Sequence, residues 1–308
     1  MHIANPIYDV VFKFMIEDNR VAKAFLSAII GEEVLELDFA SQEHTVRVQQ
    51  PQKDAGRDES TEGSGINLTV CRFDFSARIA TSEGVCKTVL IELQKAKLAS
   101  DIMRFRRYVG QHYQNPDNSY GEGDSRKARQ IYCIFLLGYD IGFPGSVVIS
   151  VDPMIKDVTT GKALSGPNEF TDSLHHRSWI VQTEQLKRHR RTDLEKLLSI
   201  FDQDNRTRNH HILNVDEDDF PDKYRPIIRR LRMASESEDM QIEMEMEDDY
   251  LKELQDNERT IAELGKALAE QGKALKEKDN ALAEQEKTIM EQGKAIEELK
   301  KQLAALRK

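Results

Sequence analysis

Long apolar runs are missing from this chain. No hydrophobic stretch approaches the ~20 residues needed to cross a bilayer, so no membrane association is expected. The opening Met1-His2-Ile3-Ala4-Asn5-Pro6 lacks the basic-then-apolar pattern of a secretory leader. Cysteine is scarce too. Cys71, Cys86 and Cys133 make an odd count without CxxC spacing, and all three lie in strand-like apolar runs. Buried, reduced thiols in a cytoplasmic protein are the expectation. Phosphate-loop, Gly-x-Ser-x-Gly and zinc-cluster spacings are absent, and the pairs His175-His176 and His210-His211 are adjacent rather than i,i+4. The histidines therefore read as exposed residues, not as a helical metal site.

What the chain has is charge. Of its 308 residues 32% are charged and 39% hydrophobic, enough for one sizeable core or two. The net charge of −10 is concentrated in one block holding Glu236, Glu238, Asp239, Glu243, Glu245, Glu247, Asp248 and Asp249 without a basic residue. Basic clusters stand elsewhere, at Arg104/Arg106/Arg107, Arg126/Lys127/Arg129, 187–191 and 225–232. Any one of them reads as a solvated helix face; together they leave phosphate binding open. The acidic block has two readings of its own, to repel DNA or to fill a basic groove in cis.

The hydrophobic pattern divides the chain into a mixed α/β domain, an acidic linker and a helical tail. Asn5-Pro6 resembles a helix start, followed by Ile7, Val10, Val11 and Phe14 at helical spacing. Asp18-Asn19 breaks that helix, and a second spans 21–30 and ends at Gly31. Strands are predicted at 34–39 and 44–49, a loop or insertion at 50–65, then two strands joined by Ser82-Glu83-Gly84. An amphipathic helix follows over 98–114, with Ile102, Phe105, Tyr108, Val109 and Tyr113 on its apolar side, then a turn-rich loop over 115–125. The run 131–137 reads as a strand buried on both faces, 146–151 and 179–183 as further strands, and 194–201 and 224–233 as closing helices. The domain thus covers 1–233, the acidic linker 234–250 and a coiled coil 251–308. In the last, Ile261, Leu268, Leu275, Leu282, Ile289, Ile296 and Leu303 recur every seventh residue. Gln271, Lys278, Gln285 and Gln292 at the partner positions, with Gly265, Gly272 and Gly293, make the seam marginal. Self-association is the leading reading, because a lone helix cannot bury such a stripe; a solvated single helix is the alternative.

Chemistry is most legible around Asp74 and Glu92. Each sits in an apolar strand-like run, Phe73-Asp74-Phe75 and Ile91-Glu92-Leu93. Alternation in a hairpin of that length lets both acids emerge on one face. Neighbouring carboxylates resist joint ionisation unless a cation sits between them. A hard divalent ion, held by Asp74, Glu92 and the Leu93 carbonyl, is the simplest use of the pair. The ordinary alternative is a turn aspartate and a lysine-paired glutamate.

Four stretches together resemble the PD-(D/E)XK nuclease family transposases, of the recombination-promoting nuclease group. These are Asn5-Pro6-Ile7-Tyr8-Asp9-Val10-Val11-Phe12-Lys13, Phe73-Asp74-Phe75-Ser76-Ala77, Val89-Leu90-Ile91-Glu92-Leu93-Gln94-Lys95-Ala96-Lys97 and Asp101-Ile102-Met103-Arg104-Phe105-Arg106-Arg107-Tyr108. The resemblance covers residues 5–200 and does not involve the tail. It implies a restriction-endonuclease-like mixed sheet flanked by helices, here followed by the long coiled-coil helix. It also implies a DNA endonuclease dependent on Mg2+, with Mn2+ as an alternative ion, tied to recombination, mobile elements or defence. Asp74 and Glu92 match the two acids of the motif, while Gln94 stands at the lysine position. Glutamine can orient water or phosphate but cannot accept a proton as neutral lysine can. Lys97, just past the strand, can reach back toward the site, and Lys95 points to the opposite face. Asp9 becomes a candidate metal contact, although an i,i+4 salt bridge with Lys13 is its ordinary reading. Arg104 and Arg107, with Gln111 near the same face and Lys13 and Lys95 beyond, complete the candidate phosphate contacts; Tyr108 reads as core. The alternative function is a degenerate nuclease fold serving as a DNA-binding or oligomerising module. In either case DNA and a second copy of the chain are the expected partners.

Overall fold

The computed structural model describes residues 1–39, 75–81, 86–95, 97–98, 101–121, 126–166, 168–187 and 190–306. The strand expected at 44–49, the loop at 50–65, the 82–84 turn and Asp74 lie outside these residues. In chain order the elements are β1 (His2–Ala4), α1 (Asp9–Glu17), α2 (Asn19–Ile30), β2 (Val34–Phe39), β3 (Phe75–Thr81), β4 (Cys86–Gln94), α3 (Asp101–Gln114), β5 (Ser119–Tyr120), β6 (Lys127–Ala128), β7 (Gln130–Leu137), β8 (Val148–Val151), α4 (Glu169–Ser173), β9 (His176–Gln182), α5 (Asp193–Leu198), β10 (Ile212–Asn214), α6 (Arg225–Ser235) and α7 (Glu238–Leu306). A six-stranded sheet in the order β2-β3-β4-β7-β9-β8 forms the centre. Strands β4, β7 and β9 run parallel, while β2, β3 and β8 are antiparallel to their neighbours. The fold is therefore mixed α/β.

Alternation along β4 separates two packed faces. Val89 and Ile91 enter the larger core, with Val11 and Phe12 of α1, Phe25 of α2 and Phe201 after α5. Leu90 turns the other way, into a smaller core with Tyr108 and Val109 of α3 and Ile131 and Cys133 of β7. Strand β7 feeds both cores, which is why its sequence is almost continuously apolar. Lys87 enters the larger side as well and is neutralised there by Glu32. Cys133 is fully buried, and burial pushes its thiol up to about 12.

Three boundaries differ from the sequence expectation. Helix α1 starts at Asp9 rather than at Pro6, because Asn5 is used in tertiary contacts. It is 1% exposed, donates to Gln203 Oε1 (2.9 Å) and to the His210 carbonyl (3.0 Å), and directly follows β1, which pairs with β10. Asp18 does not simply break the helix. Its carboxylate accepts the Arg20 and Val21 N–H groups and caps α2, which closes at Gly31 with φ 78°. Helix α3 starts at Asp101, and two of its expected core residues, Ile102 and Tyr113, are exposed; β5, inside the expected loop, pairs with β6 just beyond it.

The acidic segment 234–250 is not a linker. From Glu238 onward it is helix, the first turns of α7, and Met244 is fully buried. The chain separates into compact units Met1–Asp248 and Asp249–Lys308, so the acids up to Asp248 belong to the α/β unit. In the second unit α7 continues unbroken through Gly265, Gly272 and Gly293. Ile261, Leu268, Leu275, Leu282, Ile289 and Ile296 are each between 55% and 71% exposed there. Among the described residues no helix is long and apolar enough to cross a membrane.

Candidate functional site

Glu92 and Gln94 end the central strand on the α3 side. Glu92 is 2% exposed and accepts from the Arg104 guanidinium at 2.6 Å. A carboxylate so buried needs a cationic or donor partner, and α3 supplies it one turn from its start. Gln94, two residues on, is also buried, and its Oε1 accepts from Tyr139 Oη at 3.1 Å. Both chain turns beyond the strands are pinned by close backbone approach, the Gly138 N–H donating to the Gln94 carbonyl at 2.6 Å. A Cβ at Gly138 would stand 2.3 Å from the Lys95 carbonyl oxygen, so any side chain there would push β4 and β7 apart.

The structure divides the sequence-predicted residues between the two faces. Glu92, Gln94 and Arg104 come together on the α3 side, with Gln111 half-buried farther along the same helix and Arg107 exposed. The Leu93 side chain faces the larger core, and Lys97 is exposed beyond the strand. Asp9, Lys13 and Lys95 gather on the α1 side instead. Asp9 pairs with Lys13 as the i,i+4 spacing suggests.

Lys95 is at the centre of a second polar cluster, whose acids come from the block that the sequence left open to filling a basic groove in cis. Its Nζ is 2.5 Å from Asp248 Oδ1, 3.6 Å from Glu247 Oε1, and 3.5 Å above the centre of the Tyr8 ring. Asp248 Oδ2 accepts from Tyr8 Oη (2.8 Å), His210 Nε2 (2.9 Å) and His211 Nε2 (3.0 Å). Glu247 Oε2 accepts the Asp9 N–H at 2.9 Å, capping α1, whose own N-cap residue Tyr8 makes no side-chain cap. Burial works to raise the Asp248 pKa, but hydrogen bonds from Lys95, His211, His210 and Tyr8 outweigh it and hold the carboxyl well below its usual range. For Glu247 burial wins. With Asp9 adding repulsion against the pull of Lys95 and the Asp9 N–H, its pKa is raised to about 7. Tyr8 is pushed far above its ordinary value by burial and by the adjoining acids.

The expectation of exposed histidines fails for His211, which is 4% exposed. Pairing of β1 with β10, and the Asn5 N–H donated to the His211 carbonyl, draw its ring edge-on against Tyr8 at 5.0 Å. His210, His211 and Asp248 could also offer three ligand atoms to a metal. The Lys95 ammonium on the same carboxylate opposes a second cation there. A cavity of about 820 Å³ opens at the other end of the parallel strands, lined by Lys87, Gln130, Tyr132 and Arg177. Its charges are largely matched, Arg177 with Asp152 (2.6 Å) and Lys127 with Glu169 (3.1 Å). It lies away from Glu92, and the strand ends bearing Glu92 and Gln94 are where parallel α/β sheets place their ligands.

No family model, curated protein or solved structure matches this chain.

Proposed function

We propose that the chain is a Mg2+-dependent DNA endonuclease whose site is built at the end of β4. The observation that carries this reading is a buried acid and a buried amide, Glu92 and Gln94, on one face of the central strand, with the Arg104 guanidinium between that strand and α3. In the β3–β4 register Phe75 stands opposite Ile91 and Ala77 opposite Val89, and Asp74 is the residue before Phe75 in the sequence.

The donor set fits a hard divalent cation, because carboxylate and carbonyl oxygens are its preferred ligands. Asp74, Glu92 and the Leu93 carbonyl would hold it, and when bound it would polarise the phosphoryl group and activate water. The remaining steps fall to the chain. Burial keeps bulk water from the Glu92 carboxylate, and Arg104 neutralises that charge until a phosphate oxygen competes for the guanidinium. Gln94, fixed by Tyr139, would orient a water by hydrogen bonding without taking its proton. A second reading, an inert nuclease-like module that binds DNA or oligomerises, is favoured by the Glu92–Arg104 pair itself, since it satisfies the acid without any metal. The exposed heptad stripe of α7 supports pairing with a second copy, which would set two sites against two strands.

Nicking of supercoiled plasmid by the full chain, with and without Mg2+, separates the readings. The endonuclease reading expects Mg2+-dependent nicking that Glu92→Ala and Asp74→Ala each abolish while DNA binding survives. Absence of cleavage by the wild-type chain in both Mg2+ and Mn2+ leaves the inert module.

A further inference from the structure

The cluster around Lys95 is an assembly of donors closed over two acids. Lys95 Nζ, Tyr8 Oη, His210 Nε2 and His211 Nε2 converge on one carboxylate, and the α1 N-terminus receives the next. Tyr8 and His211 are more than nine-tenths buried, so their polar atoms are committed to whatever anion fills the space. A phosphate group presents the same chemistry as the carboxylates, with more acceptor oxygens for the same donors. The cluster also adjoins the proposed site in sequence, Lys95 following Gln94 directly.

The acids that fill it are held lightly. At the root of α7 Met244 is the one fully buried apolar side chain and Met240 packs partly against the core. Ile242 and Met246 are 56% and 66% exposed, and Glu243 and Glu245 are exposed as well. Docking therefore depends heavily on Glu247 and Asp248. Glu247 also sits beside the Asp9 carboxylate, and that repulsion weakens its hold on the cluster.

We propose that this cage is a phosphate-binding site for DNA, occupied in cis by the Glu247 and Asp248 carboxylates until a backbone phosphate displaces them. The root of α7 thus acts as an internal competitor beside the catalytic end of β4. This regulation rests on the endonuclease reading for its purpose, but its binding step requires no metal and no cleavage.

The test uses the full chain and a fluorescein-labelled DNA duplex, with EDTA present, read by anisotropy. Glu247→Gln with Asp248→Asn is expected to tighten binding about ten-fold, the gain from removing a competitor that leaves roughly a tenth of molecules open. Glu243→Gln with Glu245→Gln removes two carboxylates from exposed positions on the same helix and is expected to change little. Adding Lys95→Met to the first variant is expected to return affinity to the wild-type value. Equal affinities for the two double variants, or a gain that survives Lys95→Met, overturn the proposal. Hydrogen exchange of the wild-type chain provides the second reading, free of folding effects in variants. Amides at 238–250 are expected to exchange faster with saturating duplex, and unchanged or slower exchange overturns displacement. Failure of nicking in Mg2+ with these binding results intact would remove the endonuclease reading alone.

Discussion

Replacing Asp248 by alanine removes the acceptor for four donors at once, and the structure sets the size of the penalty. Breaking a buried ion pair by deleting one partner costs about 3–5 kcal/mol when the other charge is stranded. Lys95 is not stranded here. Its side chain is 14% exposed, Glu247 remains 3.6 Å away, and the Tyr8 ring lies beneath the ammonium. His211 and Tyr8 each lose an acceptor, at about 1–3 kcal/mol apiece, though His210, being exposed, recovers water. Because these donors share one carboxylate the costs overlap, and the expected loss is about 3 kcal/mol rather than their sum. A double-mutant cycle with Lys95→Met, which keeps most of the aliphatic stem, should give a Lys95–Asp248 coupling of about 1.5–3 kcal/mol. Urea unfolding followed by the single tryptophan, the buried Trp179, measures all four corners. Repeating the cycle at high salt should leave most of the coupling, since buried pairs are poorly screened. A coupling below about 0.5 kcal/mol, or one abolished by salt, would mean that the pair behaves as an ordinary surface contact and would refute the cage.

Glu247 predicts a pH dependence of the opposite sign to that of a typical salt-bridged acid. Its folded-state pKa is raised from 4.5 to about 7, so the folded chain holds a proton that the unfolded chain releases. Stability from this group is present at acid pH and is lost as pH rises from 4.5 through about 7. Asp248, held low, acts only below its unfolded value, outside that window. Melting temperature should therefore fall across the window in the wild type and fall less in Glu247→Gln; both chains keep His210 and His211, so parallel curves would dismiss the assignment. In the tail, Leu268→Glu with Leu282→Glu places charge at two positions of the exposed stripe. If the stripe joins copies as proposed, sedimentation velocity should show a wild-type oligomer and a monomeric variant, and an equal mass for both would show that the stripe does not join copies.

The elements most legible in the sequence are those whose burial is set locally. Strand β2 occupies the expected 34–39, and β7 announces itself by an apolar run that only a two-faced strand can use. Helix α2 carries both its own stop signal, Gly31, and its own cap, Asp18. Helix α1 misled because Asn5-Pro6 has the composition of a cap while its amide is spent on Gln203 and on the His210 carbonyl near β10, 198 and 205 residues away. Local propensity cannot see such a partner. Helix α3 misled in the other direction, since Ile102 and Tyr113 have core character but the smaller core ends at Tyr108 and Val109.

The same distinction divides the site. Alternation along β4 was enough to set Glu92 and Gln94 together and Lys95 apart, because period two is a property of the strand alone. The partner of Lys95 lies 153 positions on, in a segment that the sequence reads as an acidic linker. A signal was present there. Met240 and Met244 recur at i,i+4 just before Glu247 and Asp248, which gives the acidic block one apolar edge and makes it a helix with something to bury. An acid run without basic residues reads as a linker only while no such edge accompanies it. Once one face carries methionine, the acids beside it must either reach water or find donors, and in this fold Glu247 and Asp248 find the donors of β4, α1 and the His210–His211 turn.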